Sequence, residues 1–504
     1  MYALAETLAL RLPLESGSRC LIDSPGVNPR AMSRSIGRIA ILWWTLGLAL
    51  IASLAYAGLT LSRIAPIGTG YAAKILCTGV FVSGRPAQQV IDEDIQAGVH
   101  PLLHLVHPTV DVQARRARAT FLGMAARAAW FRPGLGCTLK LGDALAGPAT
   151  MIEPASNRAP PNATQATNVH DNDNALHAVM DSAFDEPDPL NPRRTRALVV
   201  MQNGRIIAQR FAPGFSEQTP LIGWSMSKSV IAALIGVLVG EGKLSPDATA
   251  LLPEWRGHED ARARVTLDEL LRMTSGLQFN EDYDDPLSDV AIMLFAEADQ
   301  SAYAARKPLD FAPGARWEYS SGTTEILSRV IRQALGGTER DYLEFPRRAL
   351  FKPLGMRTAV FEADAAGMLV GASFVCASAG DWARFGQLLL QDGVWDGKRI
   401  LPPGWVRYMR EVTLQSPRRD YGAHIWVKVP EPFDSHASPP PALPPDAFHL
   451  VGHEGQFVSV VPSRELVVVR MGLSRPEKAW DHETFLARLI DALPSAPVET
   501  GGAK

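Results

Sequence analysis

From Ile39 to Leu61 the chain runs 23 residues without a charged side chain, enough helix to span a bilayer core of about 30 Å. A run this long and apolar separates a short N-terminal part from a much longer C-terminal one. Arg30, Arg34 and Arg38 precede it, and basic residues favour the cytoplasmic side. The expected order is therefore a cytoplasmic extension over residues 1–38, a transmembrane helix or signal anchor over 39–62, and an extracytoplasmic, periplasmic-type remainder. Ala55-Tyr56-Ala57 has the small-x-small form of a cleavage site, so a removed leader and an exported protein is the competing reading. The length of the run favours the anchor. Met32, among the arginines, is an alternative start.

Across the 504 residues, 50 Lys and Arg face 53 Asp and Glu, a formal charge of −3. That balance lacks the basic footprint of nucleic-acid binding, so nucleic acid is not an expected partner. The four cysteines, Cys20, Cys77, Cys137 and Cys376, show no C-x-x-C spacing. In an oxidising compartment beyond a membrane, a Cys77–Cys137 pair is open to the chain, since both lie downstream of the apolar run. His100, His104 and His107 are spaced as metal ligands are, but no carboxylate or cysteine pattern completes a site. With no glycine-rich phosphate loop either, cofactor-free chemistry is the simplest expectation.

Residues 63–155 read as a small N-terminal extension, with Val112–Arg127 as a basic, helix-like stretch. Residues 156–180 read as a linker, because Ser156–Asn174 is poor in large apolar residues and rich in Pro, Asn and Thr. The main domain is placed at 181–497. It opens with strand-like runs Ala197–Gln202 and Arg205–Phe211 around Asn203-Gly204, a tight hairpin pattern. A core helix follows over Ser229–Gly240, and Thr266 and Glu269 have capping-box spacing. Strands return at His449–Val451, Phe457–Val461 and Leu466–Met471, ahead of a final helix from about Trp480 to Leu493. Strands at both ends with helices between them imply an α+β fold, an α/β sandwich whose antiparallel sheet is flanked by helices and joined to an all-α subdomain. Pro439–Pro445 reads as an exposed loop insertion.

The chemistry concentrates at Ser225-Met226-Ser227-Lys228, which opens the apolar helix. Positions i and i+3 share a helical face, so hydroxyl and amine can meet, and a helix N-terminus favours negative charge developing there. A serine becomes a strong nucleophile only when a neighbour takes its proton, and lysine serves as that base only if burial lowers its pKa. Further along come Tyr319-Ser320-Ser321, after the turn Phe311-Ala312-Pro313-Gly314, and His453-Glu454-Gly455 beside a late strand. In this order the three elements resemble the serine β-lactamase, D-alanyl-D-alanine peptidase and class C-like esterase superfamily, whose elements are S-x-x-K, Y-x-N and K-T-G or H-x-G. The resemblance spans roughly Asp181 to Pro494, and Thr266–Leu277 is similar to its LL-x-MTSGL segment. Within the superfamily the chain looks most like 6-aminohexanoate-dimer hydrolases, in Gly223–Lys228, Tyr319–Gly322 and Gly452–Gly455.

That resemblance implies Ser225 as nucleophile, Lys228 as base or proton relay, and Tyr319 as proton donor to the leaving group. It implies an oxyanion hole from the backbone N–H groups of Ser225 and Gln456, and substrate contacts at His453, Glu454, Gly455 and Ser321. Tyr283, in the acidic stretch Glu281–Asp285 that otherwise reads as a solvated loop, is a further contact. Two departures stand out. Ser321 takes the place of an asparagine, and His453-Glu454 the place of a Lys-Thr pair, where a glutamate would repel a penicillin carboxylate. The expected function is a serine hydrolase acting through an acyl-enzyme on a small ester or amide. A β-lactamase or D,D-peptidase is the alternative within enzymes, and a non-catalytic, membrane-anchored ligand-binding module the alternative outside them.

Overall fold

A computed structural model describes residues 29–141, 174–257, 259–435 and 437–493. Residues 1–28 of the expected cytoplasmic extension, 142–173, which hold most of the expected linker, and the end of the main domain from 494 lie outside them. The chain divides after Leu61 into two compact units, and helix α1 (Pro29–Cys77) contributes residues to both. In the first unit its apolar side chains are exposed, Trp43 to 69% and Trp44 to 75%. Among the described residues this is the one helix long and apolar enough to cross a membrane, a test that a signal sequence also passes.

The second unit begins with an antiparallel meander of β1 (Val106–Asp111), β2 (Arg116–Phe121), β3 (Met124–Arg132) and β4 (Gly136–Lys140). Val112–Arg127, expected to be helix-like, is thus mostly strand. Ala117, Ala119 and Phe121 point inward while Arg118 is exposed, a period of two; the many alanines and arginines, good helix formers, hide that alternation. Cys77, at the end of α1, is bonded to Cys137 in β4.

Helix α2 (Asn174–Ser182) occupies what was expected to be the end of the linker. Its Leu176 and Met180 are buried in the main core with Val179 packed beside them, an apolar stripe at helical spacing. Strands β5 (Ala197–Gln202) and β6 (Arg205–Phe211) turn through Asn203 and Gly204, whose φ of 52° and 71° suit a tight hairpin. There follow β7 (Leu221–Ile222), α3 (Met226–Gly240), α4 (Leu267–Leu271), α5 (Ser321–Leu335), β8 (Val360–Phe361), β9 (Val375–Ala377) and α6 (Ala379–Leu390). The Thr266–Glu269 capping box forms at the start of α4. The chain closes with β10 (Phe448–Gly452), β11 (Gln456–Val461), β12 (Leu466–Met471) and α7 (His482–Ala492).

The central sheet has the order β10-β11-β12-β5-β6, antiparallel throughout, so segments from the two ends of the domain pair as expected. Both β11 and β12 are buried along their whole length. Helices α2 and α7 cover one face and α6 and α3 the other, so the strands read as continuous apolar runs instead of alternating ones.

The N-terminal extension is tied to this domain by a buried charge. Glu362 is fully buried and accepts hydrogen bonds from Lys74 Nζ (2.5 Å), Thr78 Oγ1 (3.1 Å) and the backbone N–H of Cys137 (2.6 Å). Removing one partner of a buried ion pair strands the other. Glu362→Ala is therefore expected to destabilise the protein by about 3–5 kcal/mol, read as a lowered denaturation midpoint. A midpoint unchanged from wild type would show that this contact does not hold the extension in place.

Candidate active site

The turn that carries Ser225 is set by close packing. Gly223 donates its N–H to Val375 O in β9 (2.8 Å), and a Cβ on it would meet Trp382 at 2.4 Å. Trp224 takes a left-handed φ of 48°, uncommon for a bulky residue and a mark of a constrained site. Ser225 then caps α3, whose first turn is pinned from outside. Ser227 Oγ accepts from Val375 N (3.0 Å), and Ser229 Oγ donates to His424 O (2.6 Å).

One turn along, the Lys228 amine is buried and donates to three oxygens: Ser225 Oγ at 2.9 Å, Ser321 Oγ at 3.0 Å and Ala372 O at 3.2 Å. Its Nζ also lies 4.8 Å from the centre of the Tyr319 ring. Burial pulls the amine down to about 8, against the opposing pull of Glu281 and Glu325. The Tyr319 hydroxyl faces Ser225, and burial followed by the charge of Glu281 raises its pKa, so the phenol keeps its proton. Ser225, Lys228 and Ser321, read from distant parts of the sequence, thus meet within hydrogen-bonding distance, with the Tyr319 ring against the Lys228 amine.

The turn between β10 and β11 closes the site. Gly452, which pairs with Gln456, approaches Gly223 so closely that a Cβ would meet Gly223 O at 2.2 Å. Gly455 has a φ of 82°, and its carbonyl accepts from the buried Arg470 guanidinium at 2.6 Å. Gln456 spends its side chain on Gly472, accepting from N–H at 2.9 Å and donating to C=O at 2.8 Å, which leaves a backbone role as the one open to it. His453 lies edge-on to Trp224 and stacks on Tyr283 at 4.4 Å. Burial alone would lower the His453 pKa, but Glu477 at 2.8 Å raises it overall.

Two sequence expectations need correcting. The Glu454 side chain is buried and paired with Arg475, so its charge is neutralised instead of repelling a substrate carboxylate. The acidic stretch is more than a solvated loop. Glu281 accepts from Ser321 Oγ (2.5 Å) and from the Ser321 N–H (2.7 Å). Burial raises its pKa, with Lys228 pulling the other way. Glu325 was also missed. It is buried at a pKa of about 8, chiefly through desolvation, and accepts from Gly371 and Ala372 N–H, holding the carbonyl that faces Lys228. A glutamate inside a helix carries no sequence signal for such a role. The Tyr283 hydroxyl is buried facing Ser321 and Ser373 without a hydrogen bond of ordinary geometry.

A fold with this site defines a class, and comparison with known proteins agrees. Residues 191–491 match the Beta-lactamase family, and the chain belongs to it. It is 28% identical over 229 residues to the 6-aminohexanoate-dimer hydrolase of Paenarthrobacter ureafaciens, covering 42% of this chain and 56% of that one. It is 30% identical over 210 residues to the esterase EstB of Burkholderia gladioli, covering 37% and 52%. The chain thus spans about half the length of these curated relatives. A structure from Bacteroides dorei assigned as a β-lactamase shares the fold, with a TM-score of 0.50 at 20% identity, over 63% of this chain and 97% of that one.

Because Glu281 favours the charged amine, Glu281→Gln is expected to lower the Lys228 pKa below about 8. The pH dependence of fluorophosphonate labelling at Ser225 reads this directly. Its midpoint should move to lower pH, and a midpoint moving upward would contradict the electrostatics described.

Proposed function

We propose that this protein is a serine hydrolase that cleaves a small ester or amide through an acyl-enzyme. The observation that carries this reading is the buried Lys228 amine, held near neutrality 2.9 Å from Ser225 Oγ. In its neutral form the amine takes the Ser225 proton as Oγ attacks the carbonyl carbon. The tetrahedral oxyanion is met by the backbone N–H groups of Ser225 and Gln456, helped by the N-terminal end of α3. Tyr319, which keeps its proton, supplies one to the departing alcohol or amine, and water then releases the acyl group by the reverse sequence. His453, Gly455, Ser321 and Tyr283 contribute the substrate-facing walls.

The relatives named as a 6-aminohexanoate-dimer hydrolase and an esterase support amide or ester substrates. β-Lactams fit less well, because the His453-Glu454-Gly455 turn offers no unpaired cation for their carboxylate: His453 is engaged by Glu477 and Glu454 by Arg475. The apolar helix and the Cys77–Cys137 bond support an extracytoplasmic, membrane-anchored or exported protein. On this reading residues 1–38 are cytoplasmic and 181–497 form the hydrolase domain.

Ser225→Ala should abolish fluorophosphonate labelling and p-nitrophenyl ester turnover, and Tyr319→Phe should cost about 10²–10⁴-fold in kcat. For wild type, kcat/KM should climb with pH through about 8 as Lys228 loses its proton. Rapid nitrocefin hydrolysis would instead favour a β-lactamase, and unimpaired turnover by Ser225→Ala would rule out the serine mechanism.

A further inference from the structure

Next to the turn that carries Ser225 lies a cavity of about 120 Å³, concave and mostly apolar as small-molecule sites are. One wall belongs to the hydrolase domain: Trp224, Tyr283, His453 and Phe295. The opposite wall comes from residues ahead of the matched family segment, which starts at 191: Ile64, Ile67, Leu102, Leu103 and Phe121. This chain therefore adds a surface that the family domain by itself does not supply.

The lining selects for an apolar occupant, because most of its buried polar groups are already committed, the Tyr283 hydroxyl excepted. Tyr71 donates its hydroxyl to Asp94 O (2.8 Å), His100 Nδ1 accepts from Leu102 N–H (3.2 Å), His453 pairs with Glu477 (2.8 Å) and Glu454 with Arg475. Asp284 is exposed. The cavity also abuts one particular side of the scissile bond. Trp224 precedes the nucleophile, whereas Tyr319, the proposed donor to the leaving group, stands among Trp317, Tyr421 and Trp426, none of which lines the cavity. That leaves the cavity to the acyl half of the substrate.

We propose that this cavity holds an aliphatic acyl chain, so that the enzyme prefers esters or amides of medium-length fatty acids to acetyl ones. The inference rests on the serine-hydrolase reading above. The bond from Ser225 Oγ to the acyl carbon forms, the bond from that carbon to the leaving group breaks, the Ser225 proton passes to Lys228 and Tyr319 protonates the leaving group. The acyl chain stays in the cavity until water attacks. Each methylene that leaves water on entering such a site is worth about fourfold in kcat/KM.

The test uses the full-length protein in detergent and p-nitrophenyl esters from acetyl to octanoyl. Wild type is expected to gain steeply with chain length. Gly68→Leu should reduce the octanoyl-to-acetyl ratio at least tenfold, because Gly68 lines the cavity and a Cβ there meets only Leu103, at 3.6 Å. Leu102→Ala, which enlarges the same cavity, should move the optimum toward longer chains. Fluorophosphonate labelling of each variant reports that the site is folded. A labelled wild type with a flat chain-length series, or a labelled Gly68→Leu with an unchanged ratio, overturns the acyl-chain assignment and leaves the hydrolase reading standing. Absence of both labelling and ester turnover in wild type overturns the hydrolase reading and this inference with it.

Discussion

Everything in the site depends on keeping one ammonium-forming group out of water. An exposed lysine amine is charged at neutral pH and has no lone pair for a proton. Lys228 is moved toward the uncharged form, its pKa lowered to about 8, because α3 is buried almost all round and because the three oxygens around its amine, two hydroxyls and a carbonyl, are uncharged. Uncharged acceptors satisfy its N–H groups without locking in the positive form as a directly paired carboxylate would. Glu281 stands one atom further off, beyond Ser321, and Glu325 acts through the backbone at Ala372. The two carboxylates order the oxygens around the amine while restoring only part of its lost basicity.

The same logic of buried charge explains how the N-terminal extension adheres. Glu362 gathers Lys74, Thr78 and the Cys137 N–H, and Asp94 from the extension engages Arg196 beside the central sheet. Arg475 in turn holds Glu454 and the carbonyls of Asp94 and Ala97. Such networks specify one docking arrangement, because any displaced partner is left desolvated and alone. They bring the extension to the turn carrying His453, which is how residues 64–121 come to share a cavity with the catalytic domain.

Much of this was legible along the chain. The Asn203-Gly204 hairpin, the capping box at Thr266, the buried helix after Lys228 and the three late strands follow from local chemistry, and each formed where its residues indicated. Ser225 and Lys228 were readable as partners because a helix brings i and i+3 together regardless of context. The meander over 106–140 was obscured by alanines, whose helix propensity is a weak prior that pairing with neighbouring strands overrides. Helix α2 escaped notice because only Leu176, Val179 and Met180 mark it, and its stability comes from the core it touches.

Order and spacing along the chain were sufficient to indicate the family, the sheet closed by distant segments and the pairing of Ser225 with Lys228, since the motifs and the helical spacing are short-range features. Three-dimensional packing alone decided that Glu281 bonds Ser321, that Glu454 is paired with Arg475 and that an extension outside the family domain walls a cavity beside Trp224. Each of those outcomes turns on which charges are desolvated together. That is a property of contacts between residues tens to hundreds of positions apart, and no local pattern encodes it.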